Sequence, residues 1–393
     1  MTDSPANAVA FKNVDIIFGE NRDAAIDLLD QGGTRDSILE QTGSVLGVAG
    51  ATLSVRVGEI CVLMGLSGSG KSTLLRTVNG LNKVTRGEVW VQDGDRMIDV
   101  AACNSDTLRH LRMERIAMVF QQFALLPWRT VSENVGLGLE IRGIALSERE
   151  RIVAEKLELV GLDQWSTKHA HELSGGMQQR VGLARAFATN ADILLMDEPF
   201  SALDPLIRTH LQDELLTLQK ALKKTIVFVS HDLDEALKIG NHIAIMDGGR
   251  IVQYGEPEEI VLNPVNEYVR DFVSHVNPMN VLRNASIMVP LDGRTGDIDL
   301  DADGRVCLKI GNGRKSAVQV SVGGQVGQLV SDPTTLETGD PPSLCLLASD
   351  SSIRDAIRCR QMTGNPVIVT DDGQVVGYIG EIEILAALTG TLS

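Results

Sequence analysis

Eight residues, Gly65 to Ser72, read GLSGSGKS and carry the clearest chemistry in the chain. A short apolar run, Ile60 to Met64, leads into them, and a segment patterned for a helix follows. Strand, glycine-rich turn and helix form the setting that a phosphate-binding loop requires. Gly65, Gly68 and Gly70 let the backbone turn tightly, so that successive amides face phosphate oxygens. Lys71 can reach the terminal phosphates, and Ser72 offers a hydroxyl to the magnesium ion that travels with ATP. Ser67, Ser69 and Thr73 complete this set of candidate nucleotide contacts. A helix starting near Lys71 would add unpaired amides and the positive end of its dipole. The same letters can be a mere turn in a glycine-rich chain; the strand before and the helix after weigh against that.

Four other places can contribute to the same reaction. Ile193 to Met196 is a hydrophobic strand that ends in Asp197 and Glu198. An aspartate there can hold magnesium through its water shell, and the next glutamate can polarise the water that attacks the terminal phosphate. The plain alternative is an acidic, solvated turn. His231 ends the apolar run TIVFVS, where an imidazole can meet the terminal phosphate or the attacking water. Gln121 follows the run Ile116 to Phe120 and is either a contact to the metal or attacking water, or simply solvated. Leu173 to Arg180, LSGGMQQR, is a glycine-rich helix start suited to an anion, although Ser174 can equally be a helix cap and nothing more.

The elements that must position these residues follow from pattern. With 393 residues, two domains are expected. Val9 to Phe18 reads as a strand, and Phe18 either stacks on adenine or faces a core. Residues 23–50 read as an insert with two short helical patterns, DAAIDLLDQG and TRDSILEQTG, the second with Thr34 placed as its cap. That insert is either surface decoration or a docking or regulatory element. Val45 to Val57 alternates like sheet, GEVWVQDGDRMIDV reads as a hairpin, and Val131 to Trp165 is mostly helical. The helix within Ser147 to Leu162 either belongs to the core or receives a partner. Strand TIVFVS, helix DLDEALKIG and strand HIAIMDGGRIV complete an α/β domain near residue 255.

Composition narrows the class. A formal net charge of -16 argues against a general nucleic-acid binder, whose binding face is basic. Hydrophobic residues at 43% supply real cores, while aromatic residues stand at 4%. Cys61, Cys103, Cys307, Cys345 and Cys359 show no metal-like spacing and read as reduced thiols of a cytosolic protein, a free reactive cysteine being the lesser alternative. No segment approaches a spanning length of apolar residues, and MTDSPANAVA lacks the features of an export signal. If the protein works at a membrane, something else must hold it there.

The order of these motifs resembles that of the ATP-binding subunits of ABC transporters. Gly65 to Ser72, Gln121, LSGGMQQR at 173 to 180, ILLMDEP at 193 to 199, SALD at 201 to 204 and His231 carry the resemblance. It implies an ATP hydrolase with ATP and Mg2+ as cofactors, Lys71, Gln121, Glu198 and His231 as catalytic residues, and Ser72, Gln121 and Asp197 near the metal. It implies, further, that Gln121 couples ATP to membrane subunits. Ser174, Gly175 and Gly176 would meet the nucleotide of a second copy, with Asp204 at the junction of a head-to-tail homodimer. Phe18 matches the position that stacks on adenine, where many members carry tyrosine.

Within that family the insert, MVFQQFALLPWRTV, MDEPFSALDPLIR and VSHDLDEALKIG are similar to the branch that imports glycine betaine, proline betaine, choline and related quaternary amines. DFVSHVNPMNVLR, 271–283, resembles its choline-type members. The expected architecture is an α/β P-loop ATPase domain of ABC type at 1–280, with a helical subdomain at about 125–180. A smaller α+β domain at 284–393 would follow. The expected partners are integral membrane permease subunits and an extracytoplasmic substrate-binding protein, with no nucleic acid, at the cytoplasmic face of the inner membrane.

The end of the chain reads as a helix at Ser351 to Met362, two strands around Asp371, Asp372 and Gly373, and a last helix. This resembles the module named after cystathionine β-synthase, with an eroded first copy between about 284 and 330. IDLDADGRV brushes against calcium-loop spacing but lacks the full pattern, so no calcium site is expected. Two other readings are a soluble ABC ATPase acting on ribosomes or DNA, and a nucleotide-binding regulatory adaptor. The former commonly carries two nucleotide domains or a coiled-coil insertion, and this chain shows one loop and no such insertion.

Overall fold

A computed structural model describes residues 6–274, 276, 277, 279, 281–291, 296–301, 303–310, 318–331 and 342–389. Parts of 271–283 and of the acidic 291–305 stretch, on which expectations were placed, lie outside them. The chain forms two compact units, Met1–Pro257 and Glu258–Ser393.

The first unit contains two sheets. One is antiparallel, in the order β2 (Val45–Arg56), β1 (Asn7–Phe18), β4 (Arg86–Asp93), β5 (Arg96–Asp99). The other runs β10 (Arg250–Gly255), β9 (His242–Asp247), β3 (Ile60–Met64), β8 (Thr225–Val229), β7 (Ile193–Asp197), β6 (Ile116–Val119). Its strands are parallel except for β10 at the edge. Every residue of β3, β7 and β8 is buried, which is why these segments read as continuous apolar runs instead of alternating. Phe11, Val14, Val48 and Val89 of the first sheet share one core with Cys61, Leu63, Leu195 and Val227 of the second. That core fixes the C-terminal ends of β3, β7 and β8 as neighbours. The phosphate loop, Asp197–Glu198 and Ser230–His231 all leave the sheet there.

Helices Val131–Val135, Leu137–Ile141, Leu146–Leu159 and Gly175–Ala188 form the expected helical part, burying Val135, Leu139, Val153, Leu157 and Val181. The buried face of Leu146–Leu159 makes it a core helix of this unit. The insert forms α1 (Arg22–Asp30) and α2 (Arg35–Thr42), with Thr34 capping α2 as expected.

The second unit begins at Glu258, earlier than the 284 expected from sequence. The reason is local: the Glu258 carboxylate accepts hydrogen bonds from Arg283 N (2.5 Å) and Ser286 Oγ (2.6 Å), and Leu262 packs against the cluster of Leu282, Ile287 and Ile353. An eight-stranded sheet runs Val289–Pro290, Gln374–Ile379, Val367–Asp371, Ser343–Ala348, Gln325–Val330, Val318–Val322, Val306–Ile310, Gly296–Asp299. Helix Ile353–Thr363, the hairpin Val367–Ile379 and helix Glu381–Thr389 follow the order expected for the tail, and strand Ser343–Ala348, which that expectation did not include, precedes them. The described residues of 296–330 are strands in an antiparallel meander, with no helix among them. They do not repeat the strand, helix, hairpin, helix order that an eroded first copy would keep. None of the five cysteines is joined in a disulfide, and three of them, Cys61, Cys345 and Cys359, are buried.

Candidate nucleotide site

The loop after β3 is possible only with glycine at two positions. Gly65 has φ 139° and a Cβ there would sit 2.0 Å from the carbonyl oxygen of Met246. Gly70, φ 101°, would place one 2.5 Å from the carbonyl oxygen of Gly47. α3 (Lys71–Leu75) is only five residues long, so the loop amides, more than a helix macrodipole, supply the positive field. Lys71 Nζ donates to the carbonyls of Gly65 and Leu66, both at 2.9 Å. Burial pushes this ammonium below its usual range, while Glu198 and Asp197 oppose the shift. A further negative group, such as a phosphate, would favour the charged form in the same sense as Glu198 and Asp197.

Asp197 at the end of β7 is fully buried. Its Oδ1 accepts from Ser72 Oγ at 2.6 Å, and its Oδ2 accepts from Arg76 Nε (3.2 Å) and Nη2 (2.8 Å). Ser72 and Asp197 are thus brought together, as a shared magnesium site requires. The acidic-turn alternative does not hold for a carboxylate with no exposure. Arg76 escaped the sequence reading, although it lies four residues after Ser72 and so on the same helical face. Replacing Arg76 with Met is expected to lower stability by about 2 kcal/mol, because it removes the charged partner of a buried carboxylate. Thermal denaturation without nucleotide measures this, and added Mg2+ should recover part of the loss.

Gln121 and His231 converge on Glu198. Its Oε2 accepts from Gln121 Nε2 at 3.0 Å and lies 3.3 Å from His231 Nδ1. The residue is held at φ 48°, a conformation that costs a non-glycine residue on the order of 1 kcal/mol. Gln179, 1% exposed, locks that turn: its Nε2 donates to the Glu198 carbonyl (3.0 Å) and its Oε1 accepts from Ala202 N (3.1 Å). Sequence reasoning missed this residue inside LSGGMQQR; its only signal was a glutamine on the buried side of the helix.

Behind Gln121 the backbone stays under tension, with Phe123 at φ 54° and Ala124 at φ 48°. Arg185 pins both by donating to their carbonyls at 3.0 and 2.6 Å, and burial pushes its guanidinium below its usual range. Asn134, wholly buried, donates to the carbonyls of Leu126, Arg129 and Thr130 and accepts from Leu126 N.

Among the described residues, the cavity over the loop is lined by Phe18, Arg35, Gly47, Gly68, Gly70, Lys71, Ser72, Thr73, Gln121, Glu198 and His231, with Val45 and Ser67. Phe18 is 42% exposed and stands over Gly47, so the core-facing alternative is excluded. Ser69 is buried beneath the loop, with its Oγ 3.5 Å from Lys71 Nζ. Ser174, Gly175, Gly176 and Asp204 are not part of this cavity. Ser174 caps its own helix by accepting from Met177 N (3.4 Å), and Asp204 caps Pro205–Leu222 by accepting from Ile207 N (3.1 Å). Ser174 and Gly175 are nonetheless exposed.

Loop, buried aspartate, strand-end glutamate and histidine on one parallel sheet define a P-loop ATPase, and the comparisons agree. The family model described as ABC transporter matches residues 48–201. The chain is 45% identical to the glycine betaine/carnitine transport ATP-binding protein GbuA of Listeria monocytogenes, over 95% of this chain and 96% of the relative. It is 53% identical to the glycine betaine/proline betaine transport system ATP-binding protein ProV of Salmonella typhimurium, over 68% and 66% of the two chains. The solved dimer of the ATP-binding cassette MJ0796 with ADP and Pi superposes with a TM-score of 0.55 at 31% identity, covering 63% of this chain and 98% of that one. The chain belongs to the ATP-binding subunits of ABC transporters, in the branch of the quaternary-amine importers.

Proposed function

We propose that this chain hydrolyses ATP to drive import of a quaternary amine of the glycine betaine or choline type through partner permease subunits. The convergence of Gln121 and His231 on Glu198, within the cavity that holds the phosphate loop, carries this reading. Similarity to GbuA along nearly the whole chain supports the substrate class.

Phe18 stacks on adenine, and the loop amides with Lys71 hold the phosphates and stabilise charge as it develops on the transferred group. Ser72 and Asp197 fit a magnesium ion, since their oxygens lie 2.6 Å apart and the buried Asp197 is already paired with Arg76; Mg2+ would neutralise phosphate charge there. Gln121, whose Nε2 is engaged with Glu198, keeps its amide oxygen as the acceptor that faces a cation or water. Glu198 takes the proton of the attacking water, and His231 holds the terminal phosphate and the carboxylate in register.

Two copies close head to tail, so that Ser174, Gly175 and Gly176 of one copy meet the nucleotide of the other, with Asp204 at the junction. The dimeric assembly of MJ0796 supports that arrangement. Partner subunits hold the chain at the cytoplasmic face, a reading that the transport-system relatives support; among the described residues no helix is long and apolar enough to cross a membrane. Trp128, 71% exposed on the segment after Gln121, offers a face for such a subunit. An extracytoplasmic binding protein delivers the solute. The tail acts as a regulatory or dimerisation domain of cystathionine β-synthase type, with one module recognisable.

The test is to isolate the subunit from its native membranes in mild detergent and titrate ATPase with choline and glycine betaine. Co-purified membrane subunits and solute-stimulated turnover are expected. ATPase found only in the soluble fraction and indifferent to both solutes would overturn the assignment.

A further inference from the structure

The reaction as described makes no use of the two-helix insert, yet the insert is built rigidly. Ala25, Leu29 and Ile38 of α1 and α2 pack with Ile17, Leu46 and Ala49 of the flanking strands. Arg86 ties the end of α1 to the sheet: its Nη1 and Nη2 hold the Asp30 carboxylate at 2.8 and 2.7 Å while its Nε holds the buried Asp15 at 2.6 Å. α2 is closed at both ends, by Thr34 accepting from Ser37 N (3.2 Å) and by Gly43 N donating to Leu39 O (2.9 Å). Its first residue, Arg35, therefore extends from a fixed base. The residue is half-buried, donates through Nη1 to the carbonyl oxygen of Gly68 at 2.6 Å, and lines the nucleotide cavity with Phe18, Gly68 and Lys71.

We propose that Arg35 is a nucleotide-phosphate ligand, and that the insert exists to carry it into the site. The inference rests on the ATP-hydrolysing reading. The phosphate loop works by turning the positive ends of its peptide dipoles towards an anion; a carbonyl at its crest opposes that field. Arg35 covers the Gly68 carbonyl with one N–H and keeps its other donors, in a planar fork suited to phosphate oxygens, for the cavity. Among the described lining residues only Arg35 and Lys71 carry a fixed positive charge. Lys71 is already bound to two loop carbonyls and partly desolvated, so a polyphosphate gains a second cation only from Arg35. Phe18 holds the base end of the same cavity, which leaves the guanidinium to the phosphate chain.

The experiment titrates MgATP into the full chain and into its R35Q and R35K variants by calorimetry, with thermal denaturation of each nucleotide-free protein alongside. R35Q is expected to bind MgATP about tenfold more weakly, the loss of one charge-assisted hydrogen bond, with unchanged melting. R35K keeps the charge and should recover part of that loss, and the difference between R35Q and the unaltered chain should shrink as salt is raised. R35Q binding like the unaltered chain, or both variants losing affinity equally together with a lowered melting temperature, would overturn the proposal. Failure of the unaltered chain to bind MgATP would instead overturn the ATP reading beneath it.

Discussion

A Glu198→Gln variant is expected to turn over ATP about a thousandfold more slowly while binding MgATP within a few fold of the unaltered chain. The substitution keeps shape and volume, so the left-handed backbone at Glu198 and its clamp by Gln179 persist. The proton acceptor is lost. Gln121 Nε2 now faces an amide whose own nitrogen competes for the same place, and the 3.3 Å contact to His231 loses its carboxylate. An interaction used only in the transition state disappears, so kcat falls and the ground-state complex survives. Steady-state ATPase together with size-exclusion chromatography in MgATP checks both halves. The variant should accumulate as an ATP-held dimer; a monomer there, or turnover near that of the unaltered chain, would remove Glu198 from the role assigned to it.

Contiguity separates what the sequence revealed from what it hid. GLSGSGKS, MDEP and the strands that precede them are read directly, because a buried parallel strand leaves an unbroken apolar run and the functional residues follow at its end. The tail hairpin was legible for the same kind of reason: Asp372 and Gly373, both at positive φ, announce the turn between Val367–Asp371 and Gln374–Ile379. Arg76, Gln179 and Arg35 were not legible. Each is a single polar residue on a helix, and most such residues are solvated. Only the pairing of β3 with β8 and of β8 with β7 carries Arg76 to Asp197, 121 residues away in sequence, and Gln179 to the turn after it. Likewise, nothing in residues 284–330 announced a meander, because short alternating strands with glycine turns resemble the loops of a decayed repeat.

The phosphate loop also sets a graded test of how that geometry depends on single atoms. Gly65→Ala is expected to destabilise the nucleotide-free protein by about 3 kcal/mol or more and to abolish measurable MgATP binding. Its φ of 139° is barely open to alanine, and the added Cβ would lie 2.0 Å from the Met246 carbonyl oxygen and 2.8 Å from Ser69 Oγ. Ser69 can turn aside. Met246 cannot, because it belongs to β9, which is hydrogen-bonded to β3 through the pairing of Met64 with Ile245. The clash is relieved only by lifting the loop off the sheet, which withdraws the amides from the phosphates. Gly68→Ala makes the contrast: φ is 82°, but a Cβ there meets nothing within 4 Å, so only the backbone preference is lost, about 1 kcal/mol. Melting temperature and MgATP titration of the two variants side by side decide the matter. Equal stability of the two would mean that the loop gives way at Gly65 without leaving the sheet, and that the close approach of β3 to β9 does not hold the phosphate cradle in place.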